Sequence, residues 1–142
     1  MRNREKRRAA EPDVAETPVP VLLTPSKDLP GQWVAHTLRL DLVTQGGSIE
    51  EAIEMAIDAV QMVVVDDLSH GLDPLERPSA EREAWETFLR VMQNGRALST
   101  VLDRSKLTAV VAVLRVVVPA HALPEHARPK PPRVEVILQQ AA

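Results

Sequence analysis

Residues 40–60 read LDLVTQGGSIEEAIEMAIDAV, and three local signals follow one another there without a gap. Strand-like alternation runs into Gly46 and Gly47, which supply the backbone freedom that a sharp strand exit needs. Ser48 followed by Glu51 is the signature of a capping box. Ile49, Ala52, Ile53, Ala56, Val60, Val63 and Val64 then recur at spacings of three and four, with Glu50, Glu54, Asp58 and Gln61 on the other side. That period is an amphipathic helix. It should stop near His70, with Gly71 as a left-handed terminator, after Asp66 and Asp67 have been placed close to the negative end of the helix dipole.

Working outward, VPVLLTPS supplies a first strand at 19–24. Its prolines, Pro20 and Pro25, belong at a sheet edge or at a strand's first residue. Asp, Pro and Gly within 26–32 form a hairpin loop, and WVAHTLRLDLVTQ follows with two more strands, at 32–38 and 42–45. On the first of these Val34, His36 and Leu38 share one face, and Trp33, Ala35 and Thr37 the other. The fold class is therefore α+β: a three-stranded antiparallel meander with a packed helix over 18–72.

Downstream, LDPLERPS reads as a loop, and Ser79 as the cap of a second helix that ends at Gly95. Ala84, Trp85, Phe88, Leu89 and Met92 form its stripe, which docks on the domain or on a partner. RALSTVLDRSKL is a connector with helical character. TAVVAVLRVVV and RVEVILQ are strands, separated by a loop carrying Pro124, Pro129, Pro131 and Pro132. Residues 73–142 thus form a helix and two-strand extension, packing on the meander or on a partner. Residues 1–17 show no period and are expected to be a disordered basic leader.

The 142 residues are 44% hydrophobic but include only two Trp, one Phe and no Tyr, so the core should be aliphatic. A net charge of −3 argues against a surface built wholly to receive polyanions. Charge is nevertheless segregated in MRNREKRR. There Arg2, Arg4, Lys6, Arg7 and Arg8 are candidate polyanion-binding residues, or simply a solvated tail. With no cysteine, disulfides, thiolate nucleophiles and Cys-based zinc sites are excluded. No apolar run approaches the roughly 20 residues needed to span a bilayer. A cytoplasmic location is the expectation.

Catalytic groups do not converge. His121 and His126 flank Glu125 in a Pro-rich loop that offers no further ligands nearby. His36 lies between Val34 and Leu38 on its face, the setting of a hydrogen-bonded strand histidine. Glu50–Glu51 and Asp66–Asp67 are adjacent on a helix and point about 100 degrees apart, which is no dyad. The double glycine is followed by neither GxGxxG nor GxxxxGK[ST]. The expectation is a protein that is not an enzyme, with no cofactor and no metal.

Gly31, Trp33, Val34 and Ala35, then Gln45 and Gly46, then Ser48, Ile49, Glu50, Glu51 and Ala52 stand in an order that resembles the HicB-like antitoxin family over about residues 19–71. The resemblance implies a small antiparallel sheet with a packed helix, of truncated ribonuclease-H-like type, without catalytic residues. It further implies a protein that masks a small ribonuclease toxin, with a C-terminal segment binding operator DNA. No compact helix-turn-helix pattern follows Gly71, so DNA binding is not expected on the same footing. The resulting expectation is a non-catalytic HicB-like protein-binding module, an antitoxin in a toxin–antitoxin system. Its candidate partner-binding residues are Trp33, His36, Trp85 and Phe88. The alternatives are an oligomer, structural or adaptor in role, using the extension as its interface, and a nucleic-acid binder using the basic arm.

Overall fold

The computed structural model describes residues 14–119 and 133–141. In chain order the main elements are β1 (Val14–Pro25), β2 (Trp33–Thr37), β3 (Leu42–Gly46), α1 (Ile49–Ser69), α2 (Arg82–Asn94), β4 (Val110–Pro119) and β5 (Arg133–Ala141). Three short 3-10 turns, Pro74–Glu76, Leu98–Thr100 and Arg104–Lys106, occupy the connections. The fold is α+β.

The expected meander and its helix are present, but the sheet is not three-stranded. β4 pairs antiparallel with β1 from Val14↔Pro119 to Leu23↔Val110, and β5 pairs with β4. The strand order is β3-β2-β1-β4-β5. The Val-rich run and the terminal run therefore extend the meander's own sheet, and β1 begins at Val14 rather than near residue 18.

Strand parity divides the core in two. Val19, Val21, Leu23, Ala35, Val110, Ala112, Leu114 and Val116 pack with the α1 stripe Ile49, Ala52, Ile53, Ala56, Val60 and Val64. Leu22, Leu38, Ala109 and Val111 form a second cluster with Ala80, Phe88 and Val91 at α2. The helices thus lie on opposite faces of the sheet, and β4 is buried on both, which is why its sequence is almost unbroken Val, Ala and Leu. Each large aliphatic side chain so buried contributes roughly 1.5–3 kcal/mol.

The ends of α1 follow the expected chemistry. Ser48 Oγ accepts from Glu51 N at 3.0 Å, and the Glu51 carboxylate accepts from Gly47 N at 3.2 Å. At the other end Gly71 takes φ +70°, and Leu72 N donates to Asp67 O at 2.8 Å, closing the helix in a Schellman-like turn. Gly46 is required for a different reason. A Cβ there would stand 2.5 Å from Ala52 N and 2.8 Å from Glu51 C, so the end of β3 lies directly against the backbone of α1.

Ser79 does not cap α2. The N-cap is Glu81, with no side-chain cap bond, and the Ser79 hydroxyl donates to Ala80 O instead. The segment before α2 is held elsewhere: Ala80 N donates to Leu38 O at 2.7 Å, and Arg77 grips Asp67 through two bonds of 2.7 and 2.9 Å. This strap carries the chain from the α1 face to the α2 face past the end of β2.

Candidate functional site: the open edge of the sheet

The register fixes which backbone groups of each strand point where. Leu38 N donates to Pro20 O, and Ser26 N to Gln32 O, so even-numbered residues of β1 bond toward β2 and odd-numbered ones toward β4. Carried across the pairs His36↔Val43 and Ala35↔Thr44, the same parity turns Leu42, Thr44 and Gly46 toward β2. The N–H and C=O of Val43 and Gln45 point outward. β3 is the last strand on this side, so these groups form a free edge.

β1 has a second stretch of edge, because β2 pairs only with Val21 to Pro25 while β4 pairs down to Val14. By parity Pro18 faces that stretch, where its missing N–H group costs no ladder bond, and Pro20 stands at its inner end opposite Leu38. They also deny two of the donors that an added strand would use. The Leu38 carbonyl opposite Pro20, left without a donor by the proline, is taken by Ala80 N.

Beside the open edge, the α2 face of β2 and β3 is not covered by α2, which packs on β1, β4 and β5. Val43 stands there 64% exposed, next to its cross-strand partner His36. His36 Nε2 lies 2.6 Å from Asp41 Oδ1. Asp41 closes the β2–β3 turn with φ +50°, a left-handed conformation that Asp tolerates better than most residues. The pair ties the turn to the strand face. Leu22, Thr24, His36 and Asp41 from the sheet, with Glu81, Glu83, Ala84 and Thr87 from the start of α2, line a depression of about 460 Å³.

A His–Asp pair can be half of a general-base arrangement, but a nucleophile must lie within hydrogen-bond reach of the ring. Among the described residues no hydroxyl bonds to His36; Thr87 Oγ1, on the same depression, donates to Glu83 O. No group of three or more His, Asp or Glu among the described residues could hold a metal ion. The corner is a recess with acidic walls beside a row of unpaired backbone groups, which suits an extended polypeptide.

The four candidate partner residues separate. Trp33 begins β2 on the α1 face and packs, partly buried, against that cluster. His36 is on the opposite face, at the open corner. Phe88 is 5% exposed within the second cluster, and Trp85 meets it edge-on at 6.5 Å between ring centroids. Phe88 is therefore core, and Trp85 is half-buried beside it. Arg2, Arg4, Lys6, Arg7 and Arg8 lie outside the described residues, as do His121 and His126. Sequence reading missed Val43 and Gln45, because outward-pointing backbone groups carry no residue signature until the register is known.

No helix among the described residues is long and apolar enough to cross a membrane. Comparison with family models, curated proteins and solved structures found no match to this chain.

Proposed function

We propose that the chain is a non-catalytic protein-binding module of the HicB-like kind, which takes an extended segment of its partner onto the free edge of β3. A small ribonuclease toxin, neutralised by masking, is the partner that the resemblance in residues 19–71 implies. The observation that carries the binding mode is the unguarded edge itself. Val43 and Gln45 offer two N–H and two C=O groups in register, with neither proline nor charge on β3. Strand addition draws affinity from such main-chain pairing and selectivity from alternate side chains. On the α2 face those side chains would pass Val43 and enter the corner of His36, Asp41, Glu81 and Glu83, which favours a basic residue there.

The test begins with recovery of the tagged full-length chain from its native cells and identification of what co-purifies. A single small protein in stoichiometric amount, whose ribonuclease activity this chain suppresses and Val43→Pro does not, supports the proposal. Equal suppression by both chains refutes the edge as the docking element. Recovery of the chain alone, as an oligomer dissociated by Val43→Pro, would favour the structural reading, with a second copy on the same edge.

A further inference from the structure

The free edge of β3 runs alongside α1. The C-terminal end of β3 lies against the helix backbone at Glu51 and Ala52, and Thr44 Oγ1 donates to Ala52 O. Beyond that contact the two flanks of α1 differ. One carries Glu50, which is paired with Arg104 in the 98–107 connector. Leu98 and Leu107 of that connector pack on the α1 face with Val110, Ala112 and Leu114 of β4. The Glu50 flank therefore looks across the sheet toward β4, and the opposite flank looks toward the β3 side. At about 100 degrees per residue, that opposite flank carries Met55, Ala59 and Met62. Met55 is 45% exposed and Met62 73%.

A strand added to β3 lies roughly 4.8 Å beyond it and turns alternate side chains to opposite faces of the sheet. The residue opposite Val43 and the residues two positions from it face α2; those between them face α1, on the side of Met55. The two rows thus meet different surroundings. On the α2 face the row passes the exposed Val43 and comes level with Asp41, at the recess shared with Glu81 and Glu83. On the α1 face it passes Thr44 and the apolar flank of the helix.

Given strand addition at β3, on which this inference rests, we infer that the partner segment is amphipathic across its two faces. It is apolar at the alternate positions turned toward α1, where it covers Met55 and Met62. On the other face it sets an apolar or β-branched side chain against Val43, and a basic one two positions away, beside Asp41. The main-chain bonds to Val43 and Gln45 supply affinity for any extended segment, and the two rows select among segments. A second copy of β3 does not meet this pattern. Paired about Thr44, it sets Gln45 against Val43 and Gly47 level with Asp41, and brings no basic side chain to the corner.

A display library of random short segments, selected on the full-length chain, should enrich sequences with Val, Ile, Leu or Phe at every second position and Lys or Arg between them. By fluorescence anisotropy an enriched segment should bind Met55→Gln/Met62→Gln about fivefold more weakly, the worth of some 40 Å² of apolar surface. Glu54→Gln, on the other flank, should bind it as wild type does. Asp41→Asn should no longer distinguish the segment from one with Gln in place of its basic residue. Val43→Pro should not bind either. Segments that need Val43 but show no alternation, or that weaken equally in Glu54→Gln and in the double Met variant, would overturn the inference and leave strand addition standing. Enriched segments that bind Val43→Pro unchanged, or no enrichment at all, would remove strand addition and the inference with it.

Discussion

Two stretches of exposed edge on the β3 side of this sheet are treated in opposite ways. The N-terminal half of β1 is edge over several residues, yet Pro18 and Pro20 remove two of its outward donors and the 77–80 strap crosses its inner end through Ala80 N and Leu38 O. β3 is edge over its whole length and carries Leu, Val, Thr, Gln and Gly, with nothing to stop an incoming strand except its shortness. Proteins usually blunt such edges. The proline-bearing stretch of β1 is blunted in this way and β3 is not.

The largest expected effect comes from the anchor of the bare edge. Gly46→Ala drives a Cβ into the Glu51–Ala52 backbone, and should cost roughly 3 kcal/mol, read as a lowered denaturation midpoint. An unchanged midpoint would mean that β3 is not fixed by α1. Next is a proline pair that separates inward from outward groups. Thr44→Pro removes a donor aimed at β2 and should lose about 3 kcal/mol. Val43→Pro, one residue away, removes an outward donor, should stay near wild type in stability, and should lose partner binding. Similar losses from both would break the parity assignment.

The strap gives a third effect, with a pH signature. The Arg77 guanidinium bonded to Asp67 holds that carboxyl below the usual carboxylate range. A depressed folded value contributes stability that is present above the unfolded pKa, near 3.9, and is lost as pH falls through the folded one. Arg77→Ala should therefore lower the melting temperature clearly at pH 7, with the gap to wild type closing as pH falls from the unfolded value through the lowered folded one. A gap that is constant with pH would show that the strap is held by packing alone. The smallest effect belongs to Pro18→Val. It restores an outward N–H on β1, should leave stability within about 0.5 kcal/mol, and should raise self-association in sedimentation at high concentration.

Much of the fold was legible. The α1 stripe, its Ser48 cap, the Gly71 stop and the opposite faces of Trp33 and His36 all rest on local period and local hydrogen bonding, which sequence carries directly. The destination of β4 was not legible in this way. A run apolar at every position shows that both faces are buried, but not that the partner is β1, since nothing local fixes a pairing across some ninety residues. Ser79 misled because a cap residue was present two residues early, while the backbone of Ala80 was committed to Leu38. At the site, His36 was visible as a strand histidine, whereas the edge groups of Val43 and Gln45 emerged only from the register.

Backbone amide hydrogen exchange of the full-length chain, measured free and with its co-purified partner, tests the open edge most directly. Val43 and Gln45 should exchange rapidly in the free protein and become protected in the complex, while Leu42 and Thr44 remain protected in both. Fast exchange at Val43 and Gln45 with the partner bound would contradict strand addition at β3.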